Sequence, residues 1–225
     1  MLNYLKEQVN ISLSDEMQKK FDFYCKFLRE ENEKYNLTAI TDEHEIWVKH
    51  FVDSILGSVA IPQNSSVCDV GSGAGFPCLP LAIARPDLSV TLVDSLEKRI
   101  NFTKELCRQI ELKAEFFHAR VEDFSLPHVE KYDVATARAV APLNILLEYT
   151  AQIVKVGGII VAYKTDLSEL ESSANACKVL GVQYETHYDF VLPDGSKRTI
   201  LVFRKNSHTP AKYPRGQNKP RKQPL

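Results

Sequence analysis

The chain has 225 residues, of which 44% are hydrophobic and 25% charged, and its formal net charge is −1. These proportions are ordinary for a soluble globular protein, and no apolar run has the length of a transmembrane helix or of a signal-peptide core. The five cysteines are odd in number and lack metal-ligand spacing, so we expect free thiols, no metal, no membrane association and a cytoplasmic protein.

The first part of the chain is predicted to form a helical extension over residues 1–62. Its apolar residues recur at spacings of three and four, as on one face of a helix: Met17, Phe21, Tyr24 and Leu28. A second helix is predicted to begin near Thr41, where Asp42 and Glu45 form a candidate capping box, and to continue to Ile55. Turn-forming residues at 62–66 end this extension.

From residue 63 onward, short strands alternate with helices. The strand candidates are 67–70, 90–93, 115–118, 134–136 and 159–162, and helix candidates lie at 98–110 and 143–154. This alternation predicts parallel βαβ units in a doubly wound, Rossmann-like α/β sheet. A turn at 193–196 separates two more strands, 182–191 and 198–204, which predict an antiparallel C-terminal hairpin. We expect this domain to cover 63–205 and a basic tail to cover 206–225.

A glycine-rich loop follows the first strand, where residues 67–77 are VCDVGSGAGFP. Glycines allow the backbone to turn sharply and to approach a nucleotide closely. Gly71, Gly73 and Gly75 have the spacing G-x-G-x-G, which differs from the G-x-G-x-x-G of NAD-binding loops. Asp69, two residues earlier, would complement the cationic groups of S-adenosylmethionine (SAM) but would oppose a pyrophosphate. The loop therefore favours SAM over NAD, with a plain strand-turn-helix as the alternative.

Three further positions lie where later strands are expected to end. Asp94 ends the second strand, where its carboxylate can accept hydrogen bonds from the ribose hydroxyls of either cofactor. Residues 120–123 follow the third strand, where they can contact an adenine edge. Arg138 follows the fourth strand and points toward the cleft if that strand ends near Thr136, with a surface salt bridge as the alternative.

Several segments resemble the bacterial small-subunit (16S) ribosomal RNA guanine-N7 methyltransferases, a family also called glucose-inhibited division protein B. The segments are DVGSGAGFP from Asp69, LVDSLEKR from Leu92, RAVA from Arg138, YNLTAI at 35–40 with His50 and Asp53-Ser54, and the ending from Tyr213 to Leu225. They are spread over nearly the whole chain. The resemblance implies that Gly71, Phe76, Val121, Glu122 and Arg138 line a SAM site.

Together, motif and resemblance give one set of expected cofactor contacts: Asp69, Gly71, Gly73, Gly75, Phe76, Asp94, Val121, Glu122 and Arg138. The reaction that the resemblance implies is methyl transfer from SAM to N7 of a guanine in small-subunit ribosomal RNA. Guanine N7 has a lone pair and no proton, so we expect no general base and catalysis mainly by alignment of the reacting atoms. The alternatives are methylation of a small molecule or protein, a non-catalytic RNA-binding protein on the same fold, and an NAD-dependent oxidoreductase.

The C-terminal tail carries a charge that the net value hides. Nine of the 28 basic residues and no acidic residue follow Asp194, so 19 basic and 29 acidic residues precede this point and residues 1–194 carry −10. A basic end suggests a polyanionic partner, although a tail that only aids solubility explains the pattern equally well. From His208 onward, apolar residues are too few to predict a packed element.

Ribosomal RNA or a ribosomal subunit is the expected partner of a monomeric protein. The candidate RNA contacts are Lys98, Arg99, Arg138, Lys164, Arg198, Arg215, Lys219, Arg221 and Lys222. Truncation after Tyr213 is therefore expected to reduce RNA methylation and to leave SAM affinity nearly intact. For Asn36 and His50, two roles stay open: a structural hydrogen bond that joins the extension to the core, or a place in the base pocket.

Overall fold

A seven-stranded mixed sheet forms the centre of the computed structural model, which describes all 225 residues. The strands are β1 (Ser66–Val70), β2 (Ser89–Asp94), β3 (Glu115–His118), β4 (Tyr132–Arg138), β5 (Val154–Lys164), β6 (Val182–Val191) and β7 (Lys197–Lys205). Their order is β3-β2-β1-β4-β5-β7-β6, with β1 to β5 parallel and β7 antiparallel to both β5 and β6. The predicted doubly wound α/β fold with a C-terminal antiparallel hairpin is confirmed.

Helices cover both faces of this sheet. They are α1 (Leu2–Val9), α2 (Asp15–Tyr35), α3 (Glu43–Ile46), α4 (Asp53–Leu56), α5 (Cys78–Ala84), α6 (Glu97–Gln109), α7 (Val121–Ser125), α8 (Leu143–Ala151), α9 (Ala174–Leu180) and α10 (Lys219–Lys222). A π-helical segment, Trp47–Val52, joins α3 to α4. None of these helices combines the length and apolar character that crossing a bilayer requires.

Local sequence explains where the predicted helices begin and end. The Ser14 hydroxyl accepts the Met17 N–H at the start of α2, and Asn36 ends this helix in the left-handed conformation, with φ of 49°. The Asp42 carboxylate caps α3 by accepting the Glu45 N–H at 2.9 Å, as the capping box predicts. The helix predicted over 143–154 ends earlier, at Ala151, because Val154 already begins β5.

The N-terminal helices share one apolar core with a face of the sheet. Phe21 and Phe51 are fully buried and their rings lie 5.0 Å apart, and the Tyr24 ring stacks on Phe76 of the glycine-rich loop at 5.4 Å. The Tyr24 hydroxyl also donates to the Ala74 carbonyl oxygen at 2.5 Å. The N-terminal extension therefore packs against the glycine-rich loop after β1 and supports it.

The C-terminal tail packs against the domain, so the expectation of no packed element after His208 is wrong. Tyr213 and Pro214 are buried, and the Arg215 guanidinium forms an ion pair with the fully buried Glu148 of α8 at 2.7 Å. This pair, with Tyr213 and Pro214, anchors the segment in place of the apolar run that the sequence lacks. The short helix α10 follows it.

The five cysteines are free, as predicted, and four of them are buried. Burial raises the pKa of Cys25 to about 11 and that of Cys107 to about 12. Both thiols are therefore protonated at neutral pH, as expected of small core residues and not of nucleophiles.

A candidate nucleotide cleft at the carboxyl ends of the strands

The loop between β1 and α5 is held in place by backbone hydrogen bonds and by its glycines. The N–H groups of Gly71 and Ser72 donate to the Val93 carbonyl oxygen at 2.8 and 3.1 Å. Gly71 has φ of +73°, and a Cβ added there would lie 2.8 Å from a methyl group of Val140. At Gly73, by contrast, a Cβ would meet nothing within 4 Å. A side chain therefore has no room at Gly71, whereas the space beside Gly73 is free.

Two buried carboxylates flank this loop. Asp69 is fully buried and accepts the Cys78 N–H at 3.3 Å with one oxygen, while its other oxygen has no partner. Burial raises its pKa well above the ordinary value. Asp94, 3% exposed, accepts the N–H groups of Gly73 and Leu96, both at 2.9 Å. Asp94 therefore fixes the loop conformation as well as facing the cleft.

A small cleft lies where β1, β2 and β3 end. Its volume is about 120 Å³, and its walls include Gly71, Asp94, Val121 and Glu122. One carboxylate oxygen of Glu122 is buried and has no hydrogen-bond partner, since the nearest guanidinium, that of Arg120, is 3.6 Å away. An unsatisfied buried acceptor is rare in folded proteins and marks a position where a ligand can supply the missing donor.

A second cavity, of about 340 Å³, shares Arg120 and Glu122 with the first. Its other walls are Asp123 and the tail residues 216–218. The two cavities adjoin at these shared residues and are together called the groove below; their walls extend from the glycine-rich loop to the C-terminal tail. The glycine-rich loop and the third-strand loop, singled out from the sequence, both contribute to it.

The other predicted cofactor residues lie outside this groove: Asp69, Gly73, Gly75, Phe76 and Arg138. Phe76 is only 7% exposed and packs behind the loop. The expectation that Arg138 points toward the cleft is corrected by the structure. Strand β4 extends to Arg138 itself, and the guanidinium turns toward the N-terminal helices, where its partner lies.

That partner is Asp53, a 1%-exposed carboxylate in α4. One oxygen of Asp53 accepts from Arg138 at 2.8 Å, and the other accepts from Arg198 of β7 at 2.5 Å. The Arg138 guanidinium also contacts Nδ1 of His50 at 2.9 Å. No role for Asp53 followed from the sequence. A carboxylate beside the buried apolar residues Val52 and Ile55 is the signal that could have indicated this buried ion pair.

His50 links the same network to the start of the extension. Its Nε2 lies 2.8 Å from the Thr38 hydroxyl, and its ring stacks on Phe76 at 4.3 Å. Burial, together with the nearby charge of Arg138, lowers the pKa of His50 to about 3. Both ring nitrogens are thus engaged in a neutral imidazole, which supports the structural role. Asn36 is exposed and ends α2.

The predicted RNA contacts fall into two groups. Five are partly buried and ion-paired with carboxylates: Arg99, Arg138, Lys164, Arg198 and Arg215. Four are exposed: Lys98, Lys219, Arg221 and Lys222. Only the second group presents its charge mainly to solvent. No group of three or more His, Cys, Asp or Glu side chains is arranged to hold a metal ion.

The model of the family described as GidB, rRNA small subunit methyltransferase G, matches residues 17–198. Two relatives that carry the name ribosomal RNA small subunit methyltransferase G are each 45% identical to this chain. The one from Bacillus licheniformis aligns over 97% of this chain and 95% of its own length, and the one from Listeria innocua over 96% and 94%.

Among solved structures, the similarity extends to the fold. TYW2 of Pyrococcus horikoshii, in complex with MeSAdo, superposes with a TM-score of 0.55 at 15% identity, covering 69% of this chain and 62% of its own. The YcgJ protein of Bacillus subtilis superposes with a TM-score of 0.54 at 14% identity, covering 70% of this chain and 100% of its own. At such identities the likeness concerns the architecture alone.

Proposed function

The chain belongs to the rRNA small subunit methyltransferase G family, and from this membership we propose that it methylates small-subunit ribosomal RNA with SAM as the methyl donor. The observation that carries the proposal is the identity of 45% to a relative of that name over 97% of the chain. The acceptor atom that we propose is N7 of a guanine, as the sequence resemblance implies.

The residues of the groove fit the nucleoside part of SAM. Asp94 already accepts from the N–H groups of Gly73 and Leu96 and from the Arg99 guanidinium, but a carboxylate has about four lone-pair sites and retains capacity for a ribose hydroxyl. The unpartnered oxygen of Glu122 supplies an acceptor for an adenine amino group. Gly73, which lies outside the groove, leaves open space beside the loop. The structural neighbour in complex with MeSAdo supports the same use of the fold.

Methylation of guanine N7 requires no proton transfer to a residue of this protein. When bound, SAM supplies a methyl group made electrophilic by the sulfonium. Because guanine N7 has no proton to lose, the chain needs no general base, and its residues have to hold the base and exclude water. His50 fits this requirement, since both of its ring nitrogens have partners and its pKa is lowered to about 3. It stiffens the site and removes no proton.

The exposed basic residues provide the contact with RNA phosphates. Lys98 lies at the start of α6, and Lys219 and Lys222 lie in α10. Exposed lysines bind phosphates by charge and without base specificity, so affinity should fall as salt rises. The choice of one guanine then rests on the shape of the RNA or ribosomal subunit against the protein.

The test is methyl transfer from radiolabelled SAM to small ribosomal subunits isolated from cells that lack this protein, followed by digestion to nucleosides. Label in 7-methylguanosine of the small-subunit RNA is expected. Label in a different nucleoside would overturn the N7 proposal and keep the RNA substrate. If the protein binds SAM normally but the RNA stays unlabelled, the proposal that ribosomal RNA is the substrate would be overturned.

A further inference from the structure

The last residues of the chain, Tyr213–Leu225, fold back over the groove; this segment is called the C-terminal clasp below. Its anchor is the ion pair between Arg215 and Glu148 of α8. The backbone N–H and Nε of Arg215 both donate to one Glu148 oxygen at 2.9 Å, and a terminal guanidinium nitrogen donates to the other oxygen at 2.7 Å. Glu148 is fully buried. A charge removed from water to this extent is stable only with such a partner, so the clasp has a fixed attachment point.

Three further hydrogen bonds hold the clasp beyond its anchor. Arg215 donates to the Gln223 carbonyl oxygen at 2.8 Å, which closes the segment on itself. The side-chain amide of Asn144 donates to the main-chain oxygen of Leu225 at 3.2 Å. Arg221 donates to the Val140 carbonyl oxygen at 2.9 Å. The clasp is therefore attached at its beginning, its middle and its end.

These attachments place the clasp on the wall of the groove. Arg221 lines the smaller cavity together with Asp94, Val121 and Glu122, and residues 216–218 line the larger one. The smaller cavity, at about 120 Å³, is well below the roughly 300 Å³ at which small-molecule sites begin. We therefore take the nucleoside to extend across both cavities, which share Arg120 and Glu122, and the clasp forms a wall of each.

We propose that the C-terminal clasp is part of the cofactor site, with Arg221 in contact with the nucleoside half of SAM and the Arg215–Glu148 ion pair holding it there. This inference rests on the proposed function, because it takes the groove to be the SAM site. A guanidinium is planar and stacks on aromatic faces, so Arg221 suits an adenine ring between the clasp and the third-strand loop. Loss of the clasp then weakens SAM binding, contrary to the expectation from the sequence.

The first experiment compares Arg221→Gln with Lys222→Gln in the full chain, by calorimetric titration with SAM in the absence of RNA. Lys222 is exposed, carries the same charge and does not line the groove, so it is a matched control. We expect Arg221→Gln to raise the Kd for SAM about fivefold to tenfold and Lys222→Gln to leave it within about twofold. Equal affinities for the two variants would overturn the contact. A wild-type protein that bound no SAM would overturn the proposed function instead.

The second experiment tests the anchor. Replacing Arg215 alone leaves a buried carboxylate unpaired and endangers the fold, so the variant is the double substitution Arg215→Ala and Glu148→Leu. It removes both charges together and shortens the side chain of residue 215, so that no apolar contact of similar size replaces the ion pair. The expected result is a folded protein with weaker SAM binding and faster hydrogen exchange in residues 213–225. In the wild type, SAM should slow exchange in the same residues severalfold. A folded double variant with wild-type SAM affinity, or clasp exchange that SAM leaves unchanged, would overturn the proposal.

Discussion

Replacing Asp53 by asparagine should destabilise the whole protein, because this carboxylate joins three parts of the chain. It lies in α4 of the extension and accepts from Arg138 of β4 and Arg198 of β7. Asparagine keeps the shape of the side chain but has one acceptor oxygen, and its amide NH2 group faces a guanidinium donor. One arginine therefore loses its partner and meets a second donor in its place.

The magnitude follows from burial. Breaking a buried ion pair costs about 3–5 kcal/mol, whereas exposed pairs are worth about 0–1 kcal/mol. Asp53 is almost completely buried, but the side chains of Arg138 and Arg198 are 13% and 19% exposed and can be partly solvated when released. We therefore expect a loss of about 3 kcal/mol in the free energy of unfolding, or a fall in Tm of about 6–12 °C.

The assay is urea denaturation followed by circular dichroism and by the fluorescence of Trp47, the single tryptophan, which lies six residues from Asp53. Glu43→Gln is the control, because its ion pair with Arg29 is largely exposed and should be worth less than about 0.5 kcal/mol. A loss below 1 kcal/mol for Asp53→Asn would refute the reasoning. So would a loss equal to that of the control.

Three further predictions concern single positions. Between pH 7 and pH 5 the free energy of unfolding of the wild type should fall by about 2 kcal/mol through His50. The unfolded residue binds a proton in this range, whereas the folded one, with its pKa lowered to about 3, does not. In urea titrations at both pH values, His50→Gln should lack this loss and exposed His44→Gln should retain it. Gly57→Ala would place a Cβ 1.9 Å from a buried tyrosine hydroxyl and should lower the free energy of unfolding by about 3 kcal/mol. Thermal melting that matched Gly216→Ala, where a Cβ would meet nothing within 4 Å, would contradict this. Gly71→Ala should fold but bind SAM at least about tenfold more weakly in calorimetry, because its Cβ would push on the loop beside the cleft; an affinity equal to that of Gly157→Ala, whose φ is also positive, would remove the loop from the cofactor site.

The sequence predicted those parts of the structure that depend on local patterns. The alternation of short strands and helices identified the sheet, and the glycines at alternate positions identified the loop after β1. Both could be predicted because hydrophobic periodicity and left-handed turns depend on residues that are neighbours in the sequence. The helix α7 was missed. It has five residues, Val121–Ser125, and is too short to show a helical period.

Contacts between distant residues were the features that the sequence could not predict. Arg138 was placed near the cleft from its position after a strand, but its partner Asp53 lies 85 residues earlier in the chain. Packing of the tail could not be predicted from its own residues, because its anchor Glu148 lies 67 residues before Arg215. Glu148 was nevertheless the only charged residue of a strongly apolar helix, and a buried charge requires a partner of opposite sign.

The position of β7 in the sheet has a consequence for how the protein is made. β7 is synthesised after the other six strands, yet it lies between β5 and β6 in the sheet. The most recently added residues of a growing polypeptide remain inside the ribosomal exit tunnel, whereas earlier segments fold as they emerge. While β7 is still enclosed, the edge of β5 that it will cover has no partner, and β6 has no neighbour at all. The sheet is therefore completed only once β7 itself has left the exit tunnel.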